Sequence, residues 1–135
     1  MRAEGPLTDL TTRVLAKAAS GLWLRQQAIN ANLANSQTPG YQPLQVDFEQ
    51  ALHAALSRDR TRFICQGPSA QAAVEKVTPR VKIEPGARRR WDGNAVNVEH
   101  EIVALAETTL QHEAVLRLLA HKLRMVEIAI NGRAQ

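Results

Sequence analysis

The sequence predicts a mainly α fold, in which long N- and C-terminal helices pair as a coiled coil or α-hairpin around an irregular middle segment. Hydrophobic residues make up 44% of the 135 residues, but aromatic residues only 4%. A chain rich in Ala and Leu and poor in aromatics favours helices over a sheet core. Apolar residues recur every three or four positions near both ends. Pro and Gly interrupt this pattern in between, which indicates turns.

The length suits one domain. We divide it into an N-terminal helix over 7–35, an irregular middle over 36–95 and a C-terminal helix over 97–131. The formal net charge is +4. The chain has one cysteine, and a single cysteine excludes an internal disulfide framework and a multi-cysteine zinc site. No apolar run is long enough to cross a membrane, and no signal-peptide pattern opens the sequence. We therefore expect synthesis in the cytoplasm and no membrane insertion.

The N-terminal helix is predicted from an apolar stripe with spacings mostly of three and four. Thr8 or Asp9 is expected to cap its start. The pair Ser20-Gly21 lies inside the pattern, where Gly is a poor helix former, so we expect a bend or a close helix crossing there. The residues of the stripe are Leu7, Leu10, Val14, Ala18, Leu22, Ile29 and Leu33.

The middle segment begins with a turn, Thr38-Pro39-Gly40-Tyr41. Pro suits the first central position of a type II turn and Gly the second, which needs a positive φ. A short helix is predicted over Phe48–Leu56, with Asp47 as its cap. Short strands are predicted over Thr61–Ile64 and Arg80–Ile83.

The C-terminal helix carries the clearest pattern. Apolar positions alternate spacings of four and three from Val98 to Ile130, which is typical of a coiled-coil seam. Asn97 is expected to cap the start, and Asn131-Gly132 to end the helix. Two helices leave much of such a stripe in water, so we expect partner helices to cover it. The predicted assembly seam consists of Ile102, Leu105, Leu116, Leu119, Leu123, Val126 and Ile130.

The sequence contains no recognisable catalytic, cofactor-binding or metal-binding set of residues, and we predict that the chain is not an enzyme. His112-Glu113 begins like a zinc-protease motif, but position 116 is Leu. No base that could activate Cys65 is indicated by the sequence, and we expect Cys65 to be a small buried or half-buried thiol. Arg88–Arg90 and Trp91 form a short basic run. It supports an alternative hypothesis, a soluble basic coiled-coil adaptor that binds an acidic protein or nucleic acid. We favour a solvated loop or a protein contact for this run and expect no nucleic-acid binding.

The segment Ala28–Tyr41, AINANLANSQTPGY, resembles the N-terminal signature of the bacterial flagellar rod and hook family. Val46–Phe48 resembles the segment that follows in rod proteins. Asp92–Glu99, with Lys122-Leu123 further on, resembles the proximal rod subunits of that family. The residues that match the turn motif are Asn32, Leu33, Ala34, Asn35, Thr38, Pro39, Gly40 and Tyr41.

The resemblance implies a structural subunit of the flagellar basal-body rod, which polymerises through its terminal helices into the drive shaft that transmits torque. It implies contacts with copies of itself, other rod proteins, membrane-ring and rod-adaptor proteins, and the flagellar type III export apparatus. It places the chain in the rod that crosses the periplasm and implies export without a cleaved signal. We expect no cofactor. The adaptor hypothesis remains the alternative.

Overall fold

The computed structural model describes residues 9–57, 68–84 and 91–132. Four helices and two strands follow one another in this part of the chain. They are α1 (Leu10–Ala34), β1 (Leu44–Asp47), α2 (Glu49–Ser57), α3 (Pro68–Glu75), β2 (Arg80–Ile83) and α4 (Val98–Asn131). Both long terminal helices and the short strand over Arg80–Ile83 are confirmed.

Helices α1 and α4 form an antiparallel pair, as the fold class predicts. At one end the Asn32 side chain bonds Glu101, and at the other Lys122 bonds Asp9. Between them Gln26 Nε2 lies 3.4 Å from Thr109 Oγ1. The helices have 25 and 34 residues, so they are about 37 and 51 Å long at a rise of about 1.5 Å per residue.

The two strands form an antiparallel sheet in which Leu44 pairs with Ile83 and Asp47 with Arg80. Strand β1 was not predicted, since a four-residue segment after a proline carries little local signal. Its pairing with β2 and its packing on α1 stabilise it instead.

The core has two parts. Where α1, β1 and α4 meet, the buried side chains are Leu22, Ala28, Val46 and Phe48, with Val115 of α4 packed against them. Where α2 and α3 pack on the first half of α1, the buried side chains are Leu52, Ala55, Val74 and Val77. Lys17 Nζ also donates to the carbonyls of Glu75 and Val77, each at 3.1 Å, and so satisfies acceptors at the end of α3.

Several local predictions need correction. Asp47 does not cap α2: it ends strand β1 and its carboxylate pairs with Lys82 at 3.3 Å. Asp9 precedes α1 but makes no side-chain cap bond, because its carboxylate pairs with Lys122. Helix α3 was not predicted because Pro68 suggested a break, although proline is favoured in a first helical turn.

Other boundaries agree with the predictions. Asn97 caps α4, since its side chain accepts from the His100 N–H at 3.3 Å. The helix ends at Asn131, although Gly132 keeps a right-handed helical conformation. The predicted strand Thr61–Ile64 lies outside the described residues. Leu7, Thr8, Cys65 and Arg88–Arg90 lie outside them too.

Candidate functional site

The turn motif lies where the C-terminal end of α1 meets the start of α4. Gly40 has a φ of 72°, and the Tyr41 N–H donates to the Thr38 carbonyl at 3.3 Å. This is the positive φ and the closing bond that the predicted type II turn requires. The side chain of Asn35 donates back to the Ala31 carbonyl at 2.9 Å, and Thr38 Oγ1 donates to Asn35 Oδ1 at 3.2 Å. The motif therefore ends α1 and reverses the chain.

Asn32 is buried and uses its whole carboxamide. Nδ2 donates to the Leu44 carbonyl at 2.9 Å and to Glu101 Oε2 at 3.2 Å. Oδ1 accepts from the Leu44 N–H at 2.8 Å and from the Tyr41 hydroxyl at 3.3 Å. One side chain thus joins α1, the turn, β1 and α4, and it bonds Leu44 as a neighbouring strand would.

Asn94 makes the matching contacts from the segment before α4. Its buried Nδ2 donates to three carbonyls that directly follow α1, and its Oδ1 accepts from the Val96 N–H at 2.8 Å. The three carbonyls are those of Asn35 at 3.0 Å, Ser36 at 3.2 Å and Thr38 at 2.7 Å. In the sequence Asn94 was noted only as part of the resemblance, since nothing local shows that its amide faces a helix end 56 to 59 positions away.

The backbone completes this junction. The Gly40 N–H donates to the Asp92 carbonyl at 3.1 Å, and the Ala95 N–H donates to the Tyr41 carbonyl at 3.2 Å. Gly93 has a φ of 80°, and a Cβ on it would lie 3.4 Å from Gly40 Cα. Glycine suits both positions because each has a positive φ, which residues with a side chain rarely adopt.

Glu101 is a buried carboxylate at the same junction. Burial raises its pKa above the ordinary 4.5, while the hydrogen bond from Asn32 and the nearby His100 oppose the rise and the Glu84 charge adds to it. Burial, with the Glu101 charge second, raises the pKa of Tyr41. A cavity of about 220 Å³ borders Glu101 between α1, β1 and α4. Glu84, His100 and Glu107 also line this cavity.

The close helix crossing predicted at Ser20-Gly21 is a contact with the start of α2. A Cβ on Gly21 would lie 2.6 Å from the Phe48 ring, so only Gly fits there. One turn further on, the Arg25 guanidinium lies 5.1 Å from the centre of the same ring and binds both carboxylate oxygens of Glu49, at 2.8 and 2.9 Å. Arg25 therefore anchors the junction of β1 and α2 on α1.

The residues of the predicted assembly seam fall into two groups. Leu105, Leu119 and Val126 are half-buried or buried, whereas the seam's other four residues are exposed: Ile102, Leu116, Leu123 and Ile130. The stripe of α4 that is covered within the chain differs from the apolar stripe predicted from the sequence. At every second position the covered residue is the one just before the predicted residue. Its members are Glu101, Leu105, Thr108, His112, Val115, Leu119, Lys122 and Val126.

Polar partners on or directly before α1 explain why the covered stripe differs from the predicted one. Asn32 bonds Glu101 and Asp9 bonds Lys122, so these polar residues of α4 take inward positions that apolar residues were expected to hold. Ile102 and Leu123 are displaced to the flank of the helix. The apolar side of α4 therefore does not coincide with the side that α1 covers.

The remaining candidate residues lie apart from this junction. His53, His100 and His121 are exposed and His112 is half-buried, while Trp91 is fully exposed and Trp23 partly so. Over residues 9–57, 68–84 and 91–132, no group of three or more His, Cys, Asp or Glu side chains could hold a metal ion. No helix of the described chain is long and apolar enough to cross a membrane.

No family model matches the chain, but several curated proteins do. The chain is similar to the flagellar basal body rod protein FlgB of Escherichia coli (strain K12), with 30% identity over 117 residues that cover 80% of this chain and 84% of that protein. FlgB of Salmonella typhimurium is 29% identical over 119 residues, covering 80% and 83%. FlgB of Cereibacter sphaeroides is 29% identical over 117 residues, covering 80% and 84%. On these similarities, carried through most of both chains, this protein belongs to the FlgB family of flagellar basal body rod proteins.

Proposed function

We propose that the chain is a structural subunit of the proximal rod of the bacterial flagellar basal body, and that it assembles through its terminal helices into the drive shaft that transmits torque. The structural role in the rod follows from the family. The sequence contains no set of residues to which we assign a catalytic role, and we propose no reaction for the chain. We also propose which surface of the terminal helices contacts other proteins in the rod.

One observation carries this part of the proposal: α4 is apolar where nothing in the described chain covers it. Nine of its large apolar side chains are exposed, far more than a helix needs if only one side is meant to be buried. They are Ile102, Val103, Leu110, Leu116, Leu118, Leu123, Met125, Ile128 and Ile130. Burial of such a surface against neighbouring helices would stabilise an assembly by about 25 cal/mol per Å² of apolar area.

The seam on Ile102, Leu116, Leu123 and Ile130 is the part of this surface that we assign to neighbouring subunits. It continues directly from the side that packs on α1. We propose copies of this chain and other rod proteins as partners there, with membrane-ring and rod-adaptor proteins at the base of the rod. The chain would reach the periplasm through the flagellar type III export apparatus, without a cleaved signal.

Deletion of the coding region tests the role in the rod. Isolated basal bodies are imaged by electron microscopy, with the intact chain restored as control. We expect the membrane ring to remain while the rod and everything beyond it are missing, and restoration to return them. Complete basal bodies without this chain would contradict the proposal.

Two variants with the same substitution test the seam. Leu116 and Leu118 are exposed by 45% and 57%, and they lie about 200° apart around a helix with about 3.6 residues per turn. We expect Leu116→Asp to lower the number of basal bodies with rods at least tenfold, and Leu118→Asp to leave it within about twofold. Because both side chains are exposed, neither change should alter the free energy of unfolding by more than about 0.5 kcal/mol.

Urea unfolding of the purified variants checks that both keep the fold. Normal rods with Leu116→Asp would show that the seam lies elsewhere on α4. Equal loss of rods in both variants would show that the whole outer surface of the helix matters, and not the seam alone.

A further inference from the structure

The outer edge of β2 has backbone groups that point away from the sheet. The Glu84 N–H donates to the Pro43 carbonyl at 2.9 Å, which marks these two as a hydrogen-bonded pair. Bonded and non-bonded pairs alternate along an antiparallel ladder. With the observed register, Lys82 therefore bonds β1, whereas the N–H and C=O groups of Val81 and Ile83 face outward.

The opposite edge of the sheet is already capped. On β1 the outward groups belong to Leu44 and Val46. Asn32 bonds both the N–H and the carbonyl of Leu44, at 2.8 and 2.9 Å. Arg25 Nη2 donates to the Val46 carbonyl at 3.3 Å. Side chains of α1 thus bond three of the four outward groups of β1, while the edge of β2 has no partner within the described residues.

The side chains of β2 make this edge apolar on one face and basic on the other. Val81 and Ile83 are exposed by 46% and 57%. Arg80 and Lys82, on the other face, line a groove of about 730 Å³ together with Lys76 of the α3 end. The floor of the groove is mostly alanine: Ala51, Ala54, Ala55, Ala72 and Ala73.

The charges on this face select the partner. Asp47 is the acidic residue in the groove wall, and it is paired with Lys82 at 3.3 Å. Among the described residues of the groove, two cations remain in excess, Lys76 and Arg80. A second copy of β2 would place its own Arg80 and Lys82 against these positive charges, which destabilises cross-strand pairing. An acidic strand would instead meet charges of the opposite sign.

We propose that the free edge of β2 binds an extended segment of a partner protein in which apolar and acidic residues alternate. The apolar residues of that segment would cover Val81 and Ile83, and its carboxylates would lie against Arg80 and Lys76. Its backbone would bond the outward groups of β2, the mode of recognition in which a peptide adds a strand to a sheet. The proposal does not rest on the role in the rod, because it concerns the isolated chain.

Three blocked peptides test this binding in solution. The first has the sequence Thr-Glu-Val-Glu-Val-Glu-Thr, the second has Lys in place of each Glu, and the third is the first with N-methyl groups on its two Val amides. We expect the acidic peptide to bind at least tenfold more tightly than either control. At saturation, amide hydrogen exchange at Val81 and Ile83 should slow at least tenfold, and exchange at Lys82 should not change.

A substitution on the edge provides the matching test. Val81→Pro removes an outward N–H but no ladder bond, and proline is tolerated in such an edge position. We expect it to weaken binding of the acidic peptide at least tenfold with an unchanged thermal midpoint, whereas Val81→Thr, which keeps the amide, stays within threefold of the wild type. If Val81→Pro lowers the midpoint, the N-methylated peptide decides instead.

The proposal is overturned if the acidic and basic peptides bind alike, or if the N-methylated peptide binds as well as its parent. It is also overturned if a stably folded Val81→Pro variant binds like the wild type. Slowed exchange at Val81 and Ile83 that depends on protein concentration, without peptide, would assign the edge to a second copy. Rod assembly in cells is a separate measurement, so failure here leaves the proposed function untouched.

Discussion

Two buried carboxamides hold the junction between the helices. Asn32 and Asn94 each carry donors and an acceptor on one short side chain, and each faces backbone groups that regular structure leaves unpaired. A buried carbonyl without a donor costs about 1–3 kcal/mol, so a residue lacking the amide hydrogens would destabilise this turn. The type of polar residue, and not polarity as such, matters at these positions.

Substitution of Asp for Asn removes the hydrogen-bond donors of the side chain and keeps its acceptors, so it tests the two roles separately. In Asn94→Asp the donors to three carbonyls are lost and a negative charge faces them, so we expect the free energy of unfolding to fall by about 2–4 kcal/mol. In Asn97→Asp the side chain still accepts the His100 N–H, as the helix cap requires, so we expect a change within about 0.5 kcal/mol. Urea unfolding measures both. Equal effects would show that the amide hydrogens of Asn94 do not hold the turn.

Glu101 makes the stability of the junction depend on pH. Because burial raises its pKa in the folded chain, the charged form is disfavoured there relative to the unfolded chain. The stability that its neutral form contributes is present below the ordinary pKa of 4.5 and is lost as the pH rises through the folded value. The charged or titratable groups around it are Tyr41, Glu84, His100 and Glu107.

Glu101→Gln removes this titration and keeps an acceptor for Asn32. We expect the variant to match the wild type in thermal midpoint near pH 4. Between pH 4 and pH 8 it should exceed the wild type by a margin that grows as the pH rises from the ordinary pKa of 4.5 through the raised folded pKa and is constant above it. Thermal unfolding followed by circular dichroism across this range provides the measurement, with Glu99→Gln on the exposed side of the same helical turn as control. A margin that shrinks with rising pH would contradict the assignment.

At the scale of elements, the contact of α1 with the start of α2 depends on one glycine. Gly21 allows the Phe48 ring to lie directly against the helix backbone, and Phe48 in turn is buried with Leu22 and Val46. Strand β1 ends one residue before Phe48, so this contact also positions the strand beside α1. Gly21 is a poor helix former, and the packing of Phe48 explains why it stands in the middle of a long helix.

Gly21→Ala tests this packing. Helix propensity alone would favour Ala by about 1 kcal/mol, but a methyl group 2.6 Å from the ring must displace buried atoms. We expect a net loss of about 1–3 kcal/mol in the free energy of unfolding. Ser20→Ala, at the exposed neighbouring position, should change it by less than about 0.5 kcal/mol. A stabilised Gly21→Ala variant would show that Phe48 moves aside easily.

At the scale of the whole molecule, α4 is longer than the helix that packs on it, and its apolar residues outnumber the positions that α1 covers. The inward positions at Glu101 and Lys122 are polar, and each has a partner on or beside α1. The apolar residues displaced from these positions remain exposed along the flank. A chain built in this way leaves apolar side chains exposed along α4, and we propose that other subunits of the rod cover them.

Much of the fold followed from local patterns. Features that depend on residues close together in the sequence were predicted. They are the ends of α4, the cap at Asn97, the turn at Thr38–Tyr41 and the strand Arg80–Ile83. Strand β1 was not predicted, because its residues pair with residues of β2 that lie 33 to 39 positions further along the chain. The role of Asn94 was missed for the same reason, since its partners lie on the far side of the middle segment.

The sequence by itself determined the two long helices, the turn between α1 and β1, and the resemblance to rod proteins. Periodicity, caps and turn residues act within a few positions and need no tertiary contact. Only the tertiary structure decided which side of α4 faces inward, which edge of the sheet is capped and what surrounds Glu101. These features depend on which side chain meets which partner across the fold, and the free energy of such a pair exists only once the two segments are packed together.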